Sequence, residues 1–248
     1  MDAEDAIGRD WSDAAAYAPL LEADRSLVAW EWLRRDPAYR AAADSSRAPP
    51  GRFGLVAFEA PDAGVPDARP IWSACAHPYV ISARPSRACA SARDSFDVGA
   101  LAGLARIVAD ACREHLLLCD GFRSVRLDAP NGTFRSGAVE LAFSMSGIMS
   151  AEAPLLALRR FLALAGSGRF ARSLHPREVR GRRWVLMLRA WDAHRSGAGQ
   201  REIAELLLSR TAGEPCWRSR EPSIRSQAQR LVRCACSMAA GGYRALLR

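Results

Sequence analysis

Gln200-Arg201-Glu202-Ile203-Ala204-Glu205-Leu206-Leu207, and after it Pro222-Ser223-Ile224-Arg225-Ser226-Gln227-Ala228-Gln229-Arg230-Leu231-Val232-Arg233, decide how this chain is read. In the first piece Ile203, Leu206 and Leu207 recur at helical spacing while Arg201, Glu202 and Glu205 fall opposite them. A short amphipathic helix over 200–209 follows, entered through Gly197-Ala198-Gly199. In the second piece Ile224, Ala228, Leu231, Val232, Ala235 and Met238 form an apolar stripe. Pro222-Ser223 supplies a start signal and Gly241-Gly242 a stop. With that stripe turned to a core, the other face carries Arg225, Ser226, Gln227, Gln229, Arg230 and Arg233. Arginine pairs well with guanine and glutamine with adenine in the major groove, and both donate to phosphates. A short helix bracing a second, groove-reading helix is the arrangement of a helix-turn-helix unit. Any surface helix of an arginine-rich chain shows part of this pattern, so it needs support from elsewhere in the sequence.

Upstream, Arg182 to Arg195 has Trp184, Met187, Leu188 and Trp191 on one stripe, which makes three helices in the last third. One feature departs from the usual unit. Thirteen residues, Arg210 to Pro222, stand between the second and third helices, where about three or four make the usual turn. Trp217 either docks this loop or plugs the core, and Arg218 and Arg220 are placed to meet the backbone of a duplex as a wing does. The expected DNA contacts are therefore Arg201, Arg218 and Arg220 to phosphates, with Ser223, Arg225, Ser226, Gln227, Gln229, Arg230 and Arg233 on the reading helix.

Charge supports this. The chain has no lysine, and its 35 arginines against 27 acids give a net charge of +8. Residues 1–47 hold 6 Arg and 10 acids, residues 48–168 hold 12 and 11, and residues 169–248 hold 17 and 6. The balances are −4, +1 and +11, so only the last third is basic. A positive field confined to one end is expected of a segment that meets phosphate, because binding releases condensed counterions. An acidic membrane surface would attract it too. No apolar run approaches the roughly 20 residues that cross a bilayer. Met1-Asp2-Ala3-Glu4-Asp5 lacks the basic and apolar parts of a signal peptide, so a cytoplasmic chain without a membrane partner is expected. Seven cysteines form an odd set, read as reduced thiols.

The rest of the chain reads as α+β. Residues 1–47 form a small helical domain: short helices run from Trp11 to Ala43, with Asp24 as N-cap and Asp36-Pro37 as a break. Ala48-Pro49-Pro50-Gly51 reads as a linker. In the middle domain, 48–168, β-like runs occupy Phe53 to Phe58, Ile71 to Ile81, His115 to Leu118, Ser124 to Asp128 and Ala138 to Phe143. Asp120-Gly121 and Pro130-Asn131-Gly132 carry hairpin chemistry, which suggests an antiparallel sheet. Leu101 to Cys112 and Ala153 to Leu164 have helical spacing and are expected to pack on that sheet. Residues 169–248 make the third, all-α domain.

These stretches carry a resemblance. His115-Leu116-Leu117-Leu118, Leu155-Leu156-Ala157-Leu158-Arg159-Arg160, Arg182-Arg183-Trp184, the 200–207 helix and the ending Gly241-Gly242-Tyr243-Arg244-Ala245-Leu246-Leu247-Arg248 resemble the RovC-like transcription factor family of proteobacteria. Trp30-Glu31-Trp32-Leu33-Arg34-Arg35-Asp36-Pro37-Ala38-Tyr39-Arg40 looks like the small regulator domain often found ahead of it. The resemblance implies a variant helix-turn-helix at the C-terminus, with the long loop as a family trait. It also implies self-association and a role as activator of type VI secretion genes or of conjugative-element excision and transfer. Double-stranded DNA is then the expected partner, with RNA polymerase as a further one. The alternative is an antiactivator that occupies a partner regulator with the same helical domain.

No catalytic set emerges. His77, His115, His175 and His194 are scattered, and Cys234-Ala235-Cys236 puts two thiols on different helix faces with neither Cys216 nor a histidine at zinc-site spacing. Structural cysteines, no metal and no cofactor are expected. Asn131-Gly132-Thr133 reads as a turn, and Trp30 and Trp32 as core or, less simply, as a partner surface.

Overall fold

The computed structural model describes residues 9–45, 48–87, 94–208 and 222–248. The expected N-terminal pentapeptide and the loop carrying Cys216, Trp217, Arg218 and Arg220 lie outside the described residues. The fold is α+β with helical ends and a six-stranded sheet between them.

A 3-10 helix, Ala15–Leu21, leads to α1, Arg25–Leu33. Asp24 caps α1: its Oδ1 accepts the Leu27 N–H at 3.0 Å. Every residue from Ser26 to Arg35 is buried, so this helix has no solvent face, and Trp30 and Trp32 are core residues. Trp30 Nε1 donates to the Ala63 carbonyl at 2.8 Å, as a buried indole requires. Asp36-Pro37 does end α1, and it also starts α2, Pro37–Ser45. Asp36 Oδ1 takes the Ala38 N–H at 2.8 Å, and proline suits the first helical position because its missing N–H has no partner there anyway.

The next segment departs from expectation. Pro50–Phe53 is a 3-10 turn, and the runs Phe53 to Phe58 and Ile71 to Tyr79 are not strands; a lone bridge, Leu55 to Trp72, is all that joins them. Phe53, Leu55, Ile71 and Trp72 are apolar because they fill the core under α1 and α2, where Phe53 meets the Tyr39 ring edge-on at 5.2 Å. Burial without a neighbouring backbone to pair with gives apolar loops.

The sheet comprises β1 (Val80–Ser86), β2 (Ser95–Phe96), β3 (Ala105–Ala109), β4 (Glu114–Cys119), β5 (Ser124–Ala129) and β6 (Val139–Ser144). Their order is β2-β6-β1-β5-β4-β3. It is mixed, since β1 runs parallel to β5 while the other neighbours are antiparallel. Asp120-Gly121 makes the β4–β5 hairpin, with Gly121 at φ 96°. Pro130-Asn131-Gly132 does not make one, because β1 lies between β5 and β6. Gly132, at φ 91°, instead lets the chain pass β1: a Cβ there would sit 2.9 Å from the Pro85 carbonyl oxygen. The helix expected over Leu101 to Cys112 is a 3-10 turn, Val98–Leu101, followed by β3. The alanine-rich spacing around it mimics a helix, but Ile107 and Val108 favour extended backbone and β4 offers an edge.

β4 is buried on both faces, which is why it reads as an unbroken apolar run. Its alternation feeds two cores. Leu116 and Leu118 join Ile81, Leu127 and the inward residues of α3 (Glu152–Ser167), namely Ala157, Phe161 and Leu164. Leu117 and Cys119 join a second cluster that takes residues from Tyr17 to Leu247. That cluster binds α1, α2 and the 53–72 segment to the C-terminal helices: α4 (Gly181–Arg195), α5 (Gln200–Leu207), α6 (Pro222–Ala239) and a closing 3-10 turn, Gly242–Leu247.

A buried ionic network crosses the same boundary. Arg35 at the end of α1 forks onto Asp192 of α4, with Nε to Oδ1 at 2.8 Å and Nη2 to Oδ2 at 2.9 Å. Tyr17 donates to the same Asp192 Oδ2 at 2.6 Å. On its other side Arg35 Nη1 meets Glu31 Oε2 at 2.6 Å, and Glu31 also accepts from Arg34 Nε at 3.1 Å and from the Val65 N–H at 2.8 Å. Burial pushes the Glu31 carboxyl up, but Arg35, Arg34 and Arg9 outweigh it and hold the group at about 2. Burial beside the Asp192 carboxylate raises the Tyr17 phenol.

Two outcomes are expected. Asp192→Asn leaves Arg35 buried with its fork half matched, and urea unfolding should show a loss of about 3 kcal/mol, as when one partner of a buried pair is removed. Glu31 has a depressed folded pKa, so its contribution is complete above the ordinary carboxyl value of 4.5 and is lost as the pH falls toward about 2. Unfolding followed by circular dichroism should steepen across that interval in the native protein, and Glu31→Gln should flatten it.

Candidate nucleic-acid interface

α6 is packed against both α4 and α5. Ala228 and Ala235 are fully buried at this junction, and small side chains there let the helices approach closely. Leu231, Val232 and Met238 are half-buried beside them, and Ile203 and Ala204 are the buried residues of α5. The stripe read from the sequence is therefore the one turned inward.

Opposite it, Arg225, Ser226, Gln227, Gln229, Arg230 and Arg233 are all exposed. Arg225, Gln229 and Arg233 lie in one i, i+4 row, and Ser226 and Arg230 in the next. Four residues rise about 6 Å along a helix, so the first row spreads its donors over about 12 Å. None of these three arginines has an ion-pair partner among the described residues. Gln229 Nε2 reaches Gln200 Oε1 at 3.3 Å, which ties the row to the start of α5. Arg201, at that start, is exposed and pairs with Glu205 at 2.7 Å. Ser223 lies in the first turn of α6; Arg218 and Arg220 fall outside the described residues. Among the described residues no His, Cys, Asp and Glu group could hold a metal ion, and no helix is long and apolar enough to cross a membrane.

The closing Gly-Gly-Tyr-Arg-Ala-Leu-Leu motif has a structural task. Gly241 ends α6 in the left-handed region at φ 111°, and Gly242 passes so close that a Cβ would lie 2.7 Å from the Ser237 carbonyl oxygen. The chain then folds back on α1, burying Tyr243, Leu246 and Leu247. His77 Nδ1 holds the Leu247 carbonyl at 2.7 Å. Sequence reasoning missed this anchor and the Arg35–Asp192 fork. The tail's apolar residues were a visible signal, but nothing local points from Arg35 to Asp192.

Residues 146–248 match the family described as "T6SS, Transcription factor, DNA binding domain". Residues 10–66 match the "Proteobacterial transcriptional regulator-like domain". The whole sheet lies between the two matches. No curated protein matches the chain. A chain that joins these modules is a transcriptional regulator with a DNA-binding domain at residues 146–248. It resembles RovC-like regulators, with α6 and its exposed arginine and glutamine rows inside the DNA-binding match.

Gly242→Ala should force α6 and the closing turn apart at the Ser237 carbonyl. Overpacking of this kind costs about 1–3 kcal/mol, and thermal melting should fall accordingly while Gly103→Ala, where a Cβ meets open space, leaves the midpoint nearly unchanged.

Proposed function

We propose that the protein is a sequence-specific DNA-binding activator of type VI secretion or conjugative-element transfer genes, working through a helix-turn-helix variant. In this reading α4 and α5 brace α6, and α6 enters the major groove. The observation that carries the reading is one exposed face bearing six donors and acceptors on α6, inside the stretch matched to a transcription-factor DNA-binding domain. Arg225, Arg230 and Arg233, with Gln227 and Gln229, read bases or phosphates, while Ser226 and Ser223 donate to the backbone. Arg201, Arg218 and Arg220 clamp phosphates, with Arg201 leaving Glu205 for a stronger anion. The +11 balance of residues 169–248 supports this division of labour. Residues 1–47 and 48–168 serve self-association and contact with RNA polymerase, and the protein works in the cytoplasm.

The test is fluorescence anisotropy with duplexes selected from genomic fragments, over a range of salt. Arg225→Ala with Arg230→Ala should weaken binding and lower the salt slope by about 1 for each phosphate contact removed. An unchanged affinity and slope would reject these assignments. Absence of DNA binding, with a partner regulator recovered by pull-down, would instead establish an antiactivator.

A further inference from the structure

A cavity of about 270 Å³ lies where the start of α1, the β4–β5 hairpin, α3 and the C-terminal turn meet. Most of its charges are paired. At the rim, Glu22 is taken by Arg177, Glu178 by Arg25, and Arg123 by Asp120. Asp24 accepts the Leu27 N–H and the hydroxyls of Ser26 and Ser124, and so serves the helix cap and the sheet. Two arginines keep donors to spare. Arg160 of α3 is half-buried, donates through Nε to the Leu174 carbonyl at 2.9 Å, and forms no ion pair among the described residues. Arg126 of β5 is 4% exposed, and Asp128 holds its Nη2 at 2.7 and 3.0 Å. Its Nε and Nη1 find no acceptor among the described residues, nor does His175 Nε2.

Buried donors without acceptors are costly, and where their side chains line a cavity an acceptor bound there is one physical account. Trp72, Leu117, Leu156 and Ala157 give the lining an apolar part. A concave chamber that sets charged groups beside an apolar wall can take a small molecule, and the volume suits a one-ring or two-ring ligand.

We propose that this cavity binds a small organic anion, a carboxylate or phosphate monoester on an apolar body, whose acid group is received by Arg160 and Arg126 while the body lies against Trp72 and Leu156. Arginine forks match both acid groups. The cavity also reaches Leu246, beside the Leu247 carbonyl that His77 holds, so the ligand touches the turn that anchors α6 to α1. Filling it ties the sheet to the DNA-binding end. This second consequence rests on the proposed function, whereas ligand binding does not.

The full-length protein would be titrated by calorimetry with benzoate, phenyl phosphate and benzamide, without DNA. At least one acid should saturate at millimolar concentration and raise the melting temperature, and benzamide should bind about tenfold more weakly, the worth of one charge-assisted contact. Arg160→Gln should abolish that preference without weakening benzamide. Leu156→Trp, filling the chamber from α3, should remove binding of all three and serves alone if the first variant does not fold. Saturation by benzoate only or by phenyl phosphate only supports the site and identifies its acid group. No saturation by either acid, or acid binding unchanged in the folded variants, would overturn the proposal. Because DNA is absent, that failure is separate from a failure of the DNA-binding reading, which anisotropy reads alone.

Discussion

Arg35 is the residue on which the remaining architecture leans. Its guanidinium is buried between Glu31, one turn back on α1, and Asp192 on α4, and the pair of carboxylates satisfies a charge that could not otherwise leave water. An isolated guanidinium in the core would be prohibitive, so the two helices must meet at one depth and one rotation for the fork to close. Tyr17, sharing Asp192, extends the same constraint to the first 3-10 helix. Hydrophobic contact alone would let α1 slide along α4 at modest cost, whereas a bidentate pair tolerates little displacement.

The closing turn applies a second constraint along α1. With Tyr243, Leu246 and Leu247 buried on α1, α6 is held through Gly241-Gly242 to the N-terminal module as well as to α4 and α5. The regulator-like module and the DNA-binding stretch thus share a core. Packed side chains and one buried ionic network join the N-terminal side to the C-terminal helices.

The middle sheet gives each of the two cores a surface. β4 is the hinge of this arrangement, because alternate residues serve the α3 core and the helical core. The anion cavity opens where these two cores and the closing turn come together, which places a ligand at the junction of all three. Arg126 lines it with one nitrogen on Asp128 and two without an acceptor among the described residues, which is costly for a buried guanidinium.

Much of the molecule was legible beforehand. The Asp24 cap, the three C-terminal helices, the strands β4, β5 and β6 and the outward face of α6 follow from spacing and end signals, because helix and strand periods are set by neighbours within a few residues. What stayed hidden depends on partners far along the chain. Whether Phe53 to Phe58 pairs or merely buries, whether Leu101 to Cys112 is helix or strand, and whether β1 runs parallel to β5 all turn on which backbone lies alongside. Arg34 and Arg35 look like solvated charges in a string of letters. Only the approach of Asp192, 157 residues away, makes Arg35 a core residue. Local sequence determined the helices, the strands at the centre of the sheet and the placement of positive charge at one end. Tertiary structure decided the strand order, the buried ions and the cavity, because each is created by groups that meet only when the chain has closed on itself.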